Sequence, residues 1–543
     1  MTGVRLPGIA MPPIGWVLGA ILASLAGGLL VGISDMAALD VAIVLAATIV
    51  VFARPYGVLV ATVLVLAALP TREWIPFLLL FAGGLALLAL APAVPGRRVT
   101  VPMLLLLALA VPSLSILPSP DEGIIADPYL HLPLLGTNYA RFPSVELREW
   151  LALGSVLVLF CLAALCVRGR HRLETVVTAI VVSAVVPIGI GLKQIVTGDT
   201  YERAGTTLRS VRGTFPHPNY FAFYLVVVLA IAIAMFLDSR RLWARIGLGA
   251  LLIAGVVCLF LTYTRSAWIG FALTLLVMGV LRYRRLLVVA VVGLAVAALA
   301  APGAAREAQQ RFGDLASQSA ANDTNSWQWR IDEWSALLPY GSDKPLTGQG
   351  WDSYTRLTVR RFGHSDKRYP TVRYPAYGVY SALGFTAHND YVKSFVELGV
   401  PGLVLWVLTL LALPFTAWRA RRVPGLGGIP STAVAISVGL IVIGASDNLQ
   451  GYTAVLTYQF VLCGALAGVT AAARGRRAAP ATSRVSQAAA ADRADEAYVE
   501  TLPELQRAEP ELEQAREPER RPPPAVGLLD RARGVLRRRR GSR

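Results

Sequence analysis

Ala387-His388-Asn389-Asp390-Tyr391 closes the one long water-compatible stretch of this chain, a polar block that opens near Gly303. On both sides of the block the sequence reads as one apolar run after another, and that contrast decides the fold. Runs near the ~20 residues needed to cross hydrocarbon fall at 15–33, 38–54, 56–70, 74–94, 100–118, 149–167, 175–196, 218–237, 246–263, 267–281, 286–302, 394–416, 430–446 and 452–471. Adjacent short runs can merge, so about twelve to fourteen spans are expected. Lipid offers no partner to a bare backbone group, so each span must be a helix. The expected fold is therefore an all-α polytopic membrane protein with one long extracytoplasmic loop.

Composition agrees. Of 543 residues, 55% are hydrophobic and only 16% charged, whereas a soluble domain carries about 25% charged residues. The net charge of +17 invites a nucleic-acid reading, but position argues against it. Arg97 and Arg98, Arg168 to Arg172, Arg240 to Arg245, Arg282 to Arg285, Arg419 to Arg422 and Arg474 to Arg477 recur at alternate ends of the spans. Counting each span once puts all of these on one side, which the positive-inside rule makes the cytoplasm. The same parity puts both termini inside and the polar block outside, as expected of a multi-pass plasma-membrane protein. Cys161, Cys166, Cys258 and Cys463 all fall within spans, so neither a disulfide framework nor a thiol metal site is expected. The first apolar run has no cleavage context and reads as a retained span.

Four regions follow: N-terminal spans over 1–302, the large outer loop over 303–393, C-terminal spans over 394–471, and a tail over 472–543. The tail is Ala-, Arg-, Glu- and Pro-rich and is expected to be disordered. Its last stretch, from Ala525, mixes Val and Leu with many arginines, which suits adsorption to an anionic inner leaflet.

The outer face carries the chemistry. The loop before the span at 218–237 contains Arg212-Gly213-Thr214-Phe215-Pro216-His217-Pro218-Asn219, and Thr264-Arg265-Ser266 starts another span. Pro218 and Asn219 are ordinary helix openers. Arginine on the outer side is less ordinary, because the topology rule disfavours it there. In the block, Trp327, Ile331, Trp334 and Leu338 recur at helical spacing, with Arg330 at the edge of that stripe and Pro339 expected to end the helix. Gly348-Gln349-Gly350 makes a tight turn with no strand before it, so it is no dinucleotide site. Tyr369, Tyr374, Tyr377 and Tyr380 suit an interfacial belt or sugar stacking. From His388 through Glu397-Leu398-Gly399-Val400-Pro401-Gly402 the pattern is a short helix, a break and a span, with Asn389 or Asp390 as the cap.

Arginine forks bind phosphate oxygens in pairs and keep their charge. Arg212, Arg265 and Arg330 at a membrane boundary therefore match a lipid-linked diphosphate. A histidine with a pKa near ~6.5 can take a proton from an attacking hydroxyl at neutral pH, which makes His388 the candidate base. Diphosphate already leaves well, so arginine charge can stabilise its departure without an obligatory metal or cofactor.

These strings, in this order over about residues 200–415, resemble the O-antigen ligase and polymerase superfamily. The resemblance implies a membrane glycosyltransferase of the all-helical, GT-C-like type. It implies transfer of a glycan from an undecaprenyl-diphosphate carrier to an acceptor hydroxyl of a glycan or glycolipid on the outer face, with inversion and without metal. The diphosphate would engage Arg212, Arg265 and Arg330, and His388 would be the essential histidine. His217, Asn219, Trp334, Gly348, Gly350, Asn389, Tyr391 and Glu397 would line the substrate. Three rivals remain open: a polymerase joining lipid-linked repeat units, a metal-dependent transferase calling on Asp35, Asp121 or Glu122, and a transporter or flippase. Transport favours ionisable groups near the midplane, often in two repeated halves, and neither is evident in the sequence.

Overall fold

A computed structural model describes residues 54–68, 84, 94–114, 145–202, 209–288, 326–362, 371–374, 379–382 and 386–478. The expected spans at 15–33, 38–54, 74–94 and 286–302 lie wholly or almost wholly outside the described residues. So do the segment 303–325, Asp35, Asp121, Glu122, Tyr369, Tyr377 and the tail beyond Ala478.

The elements that frame the His388 region are mostly helical. In chain order they are α1 (Pro55–Leu66), α2 (Arg97–Ala110), α3 (Val145–Cys166), α4 (Arg170–Val182), α5 (Val185–Thr197), a two-strand pair β1 (Tyr201–Glu202) and β2 (Arg209–Ser210), α6 (Pro218–Asp238), α7 (Leu242–Leu261) and α8 (Arg265–Leu281). After these come α9 (Ser326–Asp343), α10 (Ser353–Phe362), the hairpin β3 (Thr371–Tyr374) and β4 (Val379–Ala382), α11 (Asp390–Ala420), α12 (Ile429–Gly444) and α13 (Thr453–Ala478). Glu149–Cys166, Arg170–Thr197, Pro218–Asp238, Leu242–Leu261, Asp390–Ala420 and Thr453–Arg476 are long and apolar enough to cross a membrane, and α1, α8 and α12 are shorter apolar helices. Each expected span within the described residues falls on a helix, and the protein is an all-α polytopic membrane protein. The four cysteines are free and buried.

The bundle has two chemically different ends. α6, α8 and α11 start at the end that holds Asn219, Thr264 and His388, and α12 returns to it. At the opposite end Asp238 accepts hydrogen bonds from Gly428 N at 2.8 Å and from the Tyr283 hydroxyl at 3.2 Å. That carboxylate joins the end of α6, the end of α8 and the α11–α12 turn. Arg240, Arg241, Arg282 and Arg421 sit at this second end, as the alternation of basic clusters requires. Between the ends, α8 and α12 cross closely, and a Cβ on Gly439 would lie 2.8 Å from Gly270 O. Small residues at such a crossing let backbones approach where lipid supplies no hydrophobic drive.

The segment from α9 to α10 is clamped onto a break in α11. Pro401 has no N–H for the Glu397 carbonyl, and Gly399 adopts φ 68°, ψ −165° inside the helix. Gly350 N donates to Glu397 O at 2.9 Å, Gln349 N to Val396 O at 3.0 Å, and Val400 N to Pro345 O at 2.8 Å. The Gly348-Gln349-Gly350 turn thus supplies donors to carbonyls that the break leaves open. Lys393 is buried beside it, with Nζ 3.7 Å from Asp352 Oδ1 and 4.0 Å from Glu397 Oε1, and Arg356 pairs with Glu146 of α3.

One expectation fails: α9 does not stop at Pro339 but continues to Asp343. Packing on both sides of the proline outweighs its missing donor. Leu337 is fully buried with Tyr354, Ala387 and Val396, Tyr340 packs on the same cluster, and Gly341 lies against Phe395. α10 and the β3–β4 hairpin carry no signal that the sequence reading used.

Gly348→Ala tests the clamp. Gly348 sits at φ +64°, and an added Cβ would run into the backbone of Glu397 and Leu398. Thermal unfolding in detergent is expected to show a loss of about 2–4 kcal/mol. Gly247→Ala, where a Cβ meets nothing within 4 Å, is expected to stay within about 1 kcal/mol of wild type.

Candidate active site

His388 sits at φ +45°, a region a non-glycine residue enters only when its surroundings hold it there. Asn389 follows and caps α11, its side chain accepting from Tyr391 N at 2.9 Å and Val392 N at 3.1 Å. Trp334 Nε1 donates to Ala387 O at 2.7 Å, and Asn389 N donates to Asn448 Oδ1 at 3.3 Å. The Tyr391 hydroxyl donates to Ile441 O at 2.7 Å. The histidine backbone is therefore held from α9, α11 and the α12–α13 connection together.

The imidazole faces Asp447, with Nδ1 3.4 Å from Oδ1. The His388 side chain is 24% exposed and Asp447 1%, so the pair has one wet end and one dry end. Asp447 Oδ1 also accepts from the Tyr452 hydroxyl at 2.7 Å and from Asn448 N at 2.9 Å. Its Oδ2 accepts from Asn219 Nδ2 at 2.8 Å. Burial alone would raise this carboxyl, but the hydrogen bonds from His388, Tyr452 and Asn448 hold it below its ordinary range. A buried carboxylate kept ionised in this way orients imidazole with Nδ1–H toward it and the lone pair on Nε2. It also stabilises imidazolium once a proton arrives.

The network continues into α8. Thr264 Oγ1 donates to Asn219 Oδ1 at 3.1 Å, so the N-cap of α8 makes no side-chain capping bond to its own helix. Arg265, the first residue of that helix, is exposed, and Tyr263 just before it is held at φ +52°. A cation in a helix's first turn opposes the macrodipole, so Arg265 is there for some reason other than helix stability. The N-termini of α6, α8 and α11 meet around Asp447 through Asn219, Thr264 and Asn389, and each presents the positive end of its dipole. His217 caps α6, its Nδ1 accepting from Asn219 N at 3.1 Å.

Arg330 reaches the same centre from α9. Its Nη1 donates to Ser446 O at 3.0 Å, one residue before Asp447, and its buried Nε has no hydrogen-bond partner among the described residues. Burial pulls the guanidinium down from its ordinary value, while Asp447, Tyr452 and Glu333 pull it back up. Arg212 lies in the loop that leads to His217 and Asn219, with its guanidinium 6.0 Å from the Tyr201 ring centroid. Gln194 fixes that loop by accepting from Arg212 N at 3.1 Å and Gly213 N at 3.0 Å.

The structure thus joins His388, Asn389, Asn219 and Arg330 in one hydrogen-bonded centre, with Arg265 next to Thr264 in the chain and Trp334 and Tyr391 bracing the backbone. Gly348, Gly350 and Glu397 belong to the clamp described above, and Tyr354 N donates to Glu397 Oε1 at 3.2 Å. Sequence reasoning missed Asp447 and Tyr452. A signal was present: Asp447 is the only acidic residue between Glu397 and Asp492, and an ionisable group at a membrane boundary calls for an explanation.

Comparison with known proteins now bears on this site. Residues 249–407 match the family model described as O-antigen ligase. That region of the chain is of the O-antigen ligase type, which supports a multi-pass membrane enzyme of the O-antigen ligase or Wzy class. The matched region contains Arg265, Arg330, Trp334 and His388; Arg212, Asn219 and Asp447 fall outside it and are tied to it by the fold. No curated protein matches the chain.

Glu333, one turn beyond Arg330, gives a pH test. Burial pushes its carboxyl up to about 8, whereas an unfolded glutamate titrates near ~4.3. The folded state therefore holds the extra proton between these values, and stability falls as pH rises through that window. The thermal midpoint is expected to fall between pH 5 and 8, and Glu333→Gln is expected to flatten that fall.

Proposed function

We propose that the chain is an inverting, metal-independent glycosyltransferase that moves a glycan from an undecaprenyl-diphosphate carrier to an acceptor hydroxyl at the outer face of the plasma membrane. The observation that carries this reading is the His388–Asp447 pair, set where the N-termini of α6, α8 and α11 meet, with Arg330 donating to Ser446 beside it. Arg212, Arg265 and Arg330, with the helix dipoles, hold the diphosphate at headgroup depth while the polyprenyl tail stays in lipid. His388 Nε2 takes the proton of the acceptor hydroxyl. The acceptor oxygen attacks the anomeric carbon from the face opposite the diphosphate, the bond from that carbon to the diphosphate oxygen breaks, and polyprenyl diphosphate leaves with the electron pair. The single displacement inverts the anomeric centre. Asp447 stays ionised throughout and stabilises the imidazolium. Trp334, Asn389 and Tyr391 act by holding His388 in its left-handed backbone conformation.

The basic residues gathered at the opposite end support the orientation: the positive-inside rule puts that end and both termini in the cytoplasm and His388 outside. The outer loop over 303–393 then covers the sugar. A polymerase joining lipid-linked repeat units would use the same groups, since only the origin of the acceptor hydroxyl differs.

Transfer from labelled polyprenyl-diphosphate glycan in liposomes, with EDTA present, tests this reading. Wild type is expected to turn over undiminished by the chelator. His388→Ala should lower kcat by about 10²–10⁴. Asp447→Asn should lower kcat about a hundredfold with little change in KM, because it disturbs the base and leaves the diphosphate contacts in place. Arg265→Ala should raise KM for the donor as well as lower kcat. Full turnover in His388→Ala would end the assignment.

A further inference from the structure

The end of the bundle away from His388 holds a groove that the proposed reaction does not use. α6 is 21 residues long, so at 1.5 Å per residue the two ends stand roughly 30 Å apart. The groove forms where α4, the α6–α7 connection, the end of α8 and the α11–α12 turn meet, and Arg170, Arg240, Arg241, Arg282 and Arg421 line it. Its two acidic lining residues are already engaged. Glu174 holds Arg170 Nε at 2.7 Å, and Asp238 accepts from Gly428 N and the Tyr283 hydroxyl. The Arg421 guanidinium stacks 4.1 Å from the Trp418 ring centroid and keeps its charge. The side chains of Arg240, Arg241 and Arg282 make no hydrogen bond or ion pair among the described residues.

Leu173, Met235 and Leu281, from apolar helices of the bundle, line the same groove. Arginines beside apolar side chains at the end of a membrane bundle have the chemistry of a phospholipid site. The topology rule asks for basic residues near helix ends but not for their convergence on one cavity from separate connections. Guanidinium forks fit phosphate oxygens in pairs. We propose that this groove holds the phosphate headgroup of an anionic phospholipid of the adjoining leaflet, with an acyl chain against Met235 and Leu281.

Native mass spectrometry of the full chain, delipidated and then supplied with phosphatidylglycerol or acyl-matched phosphatidylcholine, reads this directly. Wild type is expected to retain phosphatidylglycerol and release phosphatidylcholine. The triple variant R240Q/R241Q/R282Q should weaken phosphatidylglycerol retention about tenfold or more. R284Q/R285Q, at the same end but not lining the groove, should retain it as wild type does. Lipid-free thermal midpoints report whether each variant is folded; if the triple variant is not, Arg282→Gln alone should lose several-fold. Equal loss in the two multiple variants, or equal retention of phosphatidylcholine, would overturn the site. Complete displacement of the lipid by millimolar inorganic phosphate would also overturn it, by showing that the groove takes the free anion. None of these outcomes depends on the transferase reading.

Discussion

The Asp447 carboxylate is the constraint on which the candidate site depends. It is buried at the membrane boundary, where an unpaired charge would be costly. It is tolerated because Asn219, Tyr452, Asn448 and His388 all point hydrogen-bonding groups at it. Asn219 and His388 come from distant parts of the chain, while Tyr452 and Asn448 share the connection that holds Asp447, so one anion fixes the relative positions of the starts of α6 and α11 and of the α12–α13 connection. Thr264 adds the start of α8 through Asn219. Satisfying this buried charge also places the carboxylate against the His388 imidazole.

A second solution to a backbone problem seats the segment from α9 to α10. Pro401 and Gly399 break α11 just below His388, and carbonyls freed in that way must find partners. The turn around Gly348 supplies them, which explains why glycine is needed there: any side chain would strike the helix it serves. The segment is thus seated by hydrogen bonds to the same helix whose first turn follows His388. The clamp and the His388–Asp447 pair share a rigid support, as a site that must hold precise geometry requires.

Much of this was legible in the sequence because apolar run length and the ends of runs are strong signals. Spans, the Asn389 cap, the break after Glu397 and the helical spacing through Arg330 and Trp334 all follow from local patterns. Asp447 was not legible in that way. Its isolation as the only acidic residue between Glu397 and Asp492 marks the position but not its role, which comes from partners as far away as Asn219. The run of α9 through Pro339 was misread for a related reason. Proline's local penalty was visible, while the burial of Leu337 against Tyr354 and Val396 exists only in the fold. Glycines 348 and 350 looked like a loop feature, and their backbone partners on α11 turned them into an anchoring device.

Histidine ¹⁵N NMR on protein labelled at its five histidines, with the His388 signal assigned by its loss in His388→Gln, tests the central claim most directly. The account predicts that neutral His388 carries its hydrogen on Nδ1, facing Asp447, and that Asp447→Asn abolishes this preference. A wild-type His388 protonated on Nε2, or one whose tautomer is indifferent to Asp447→Asn, would contradict it.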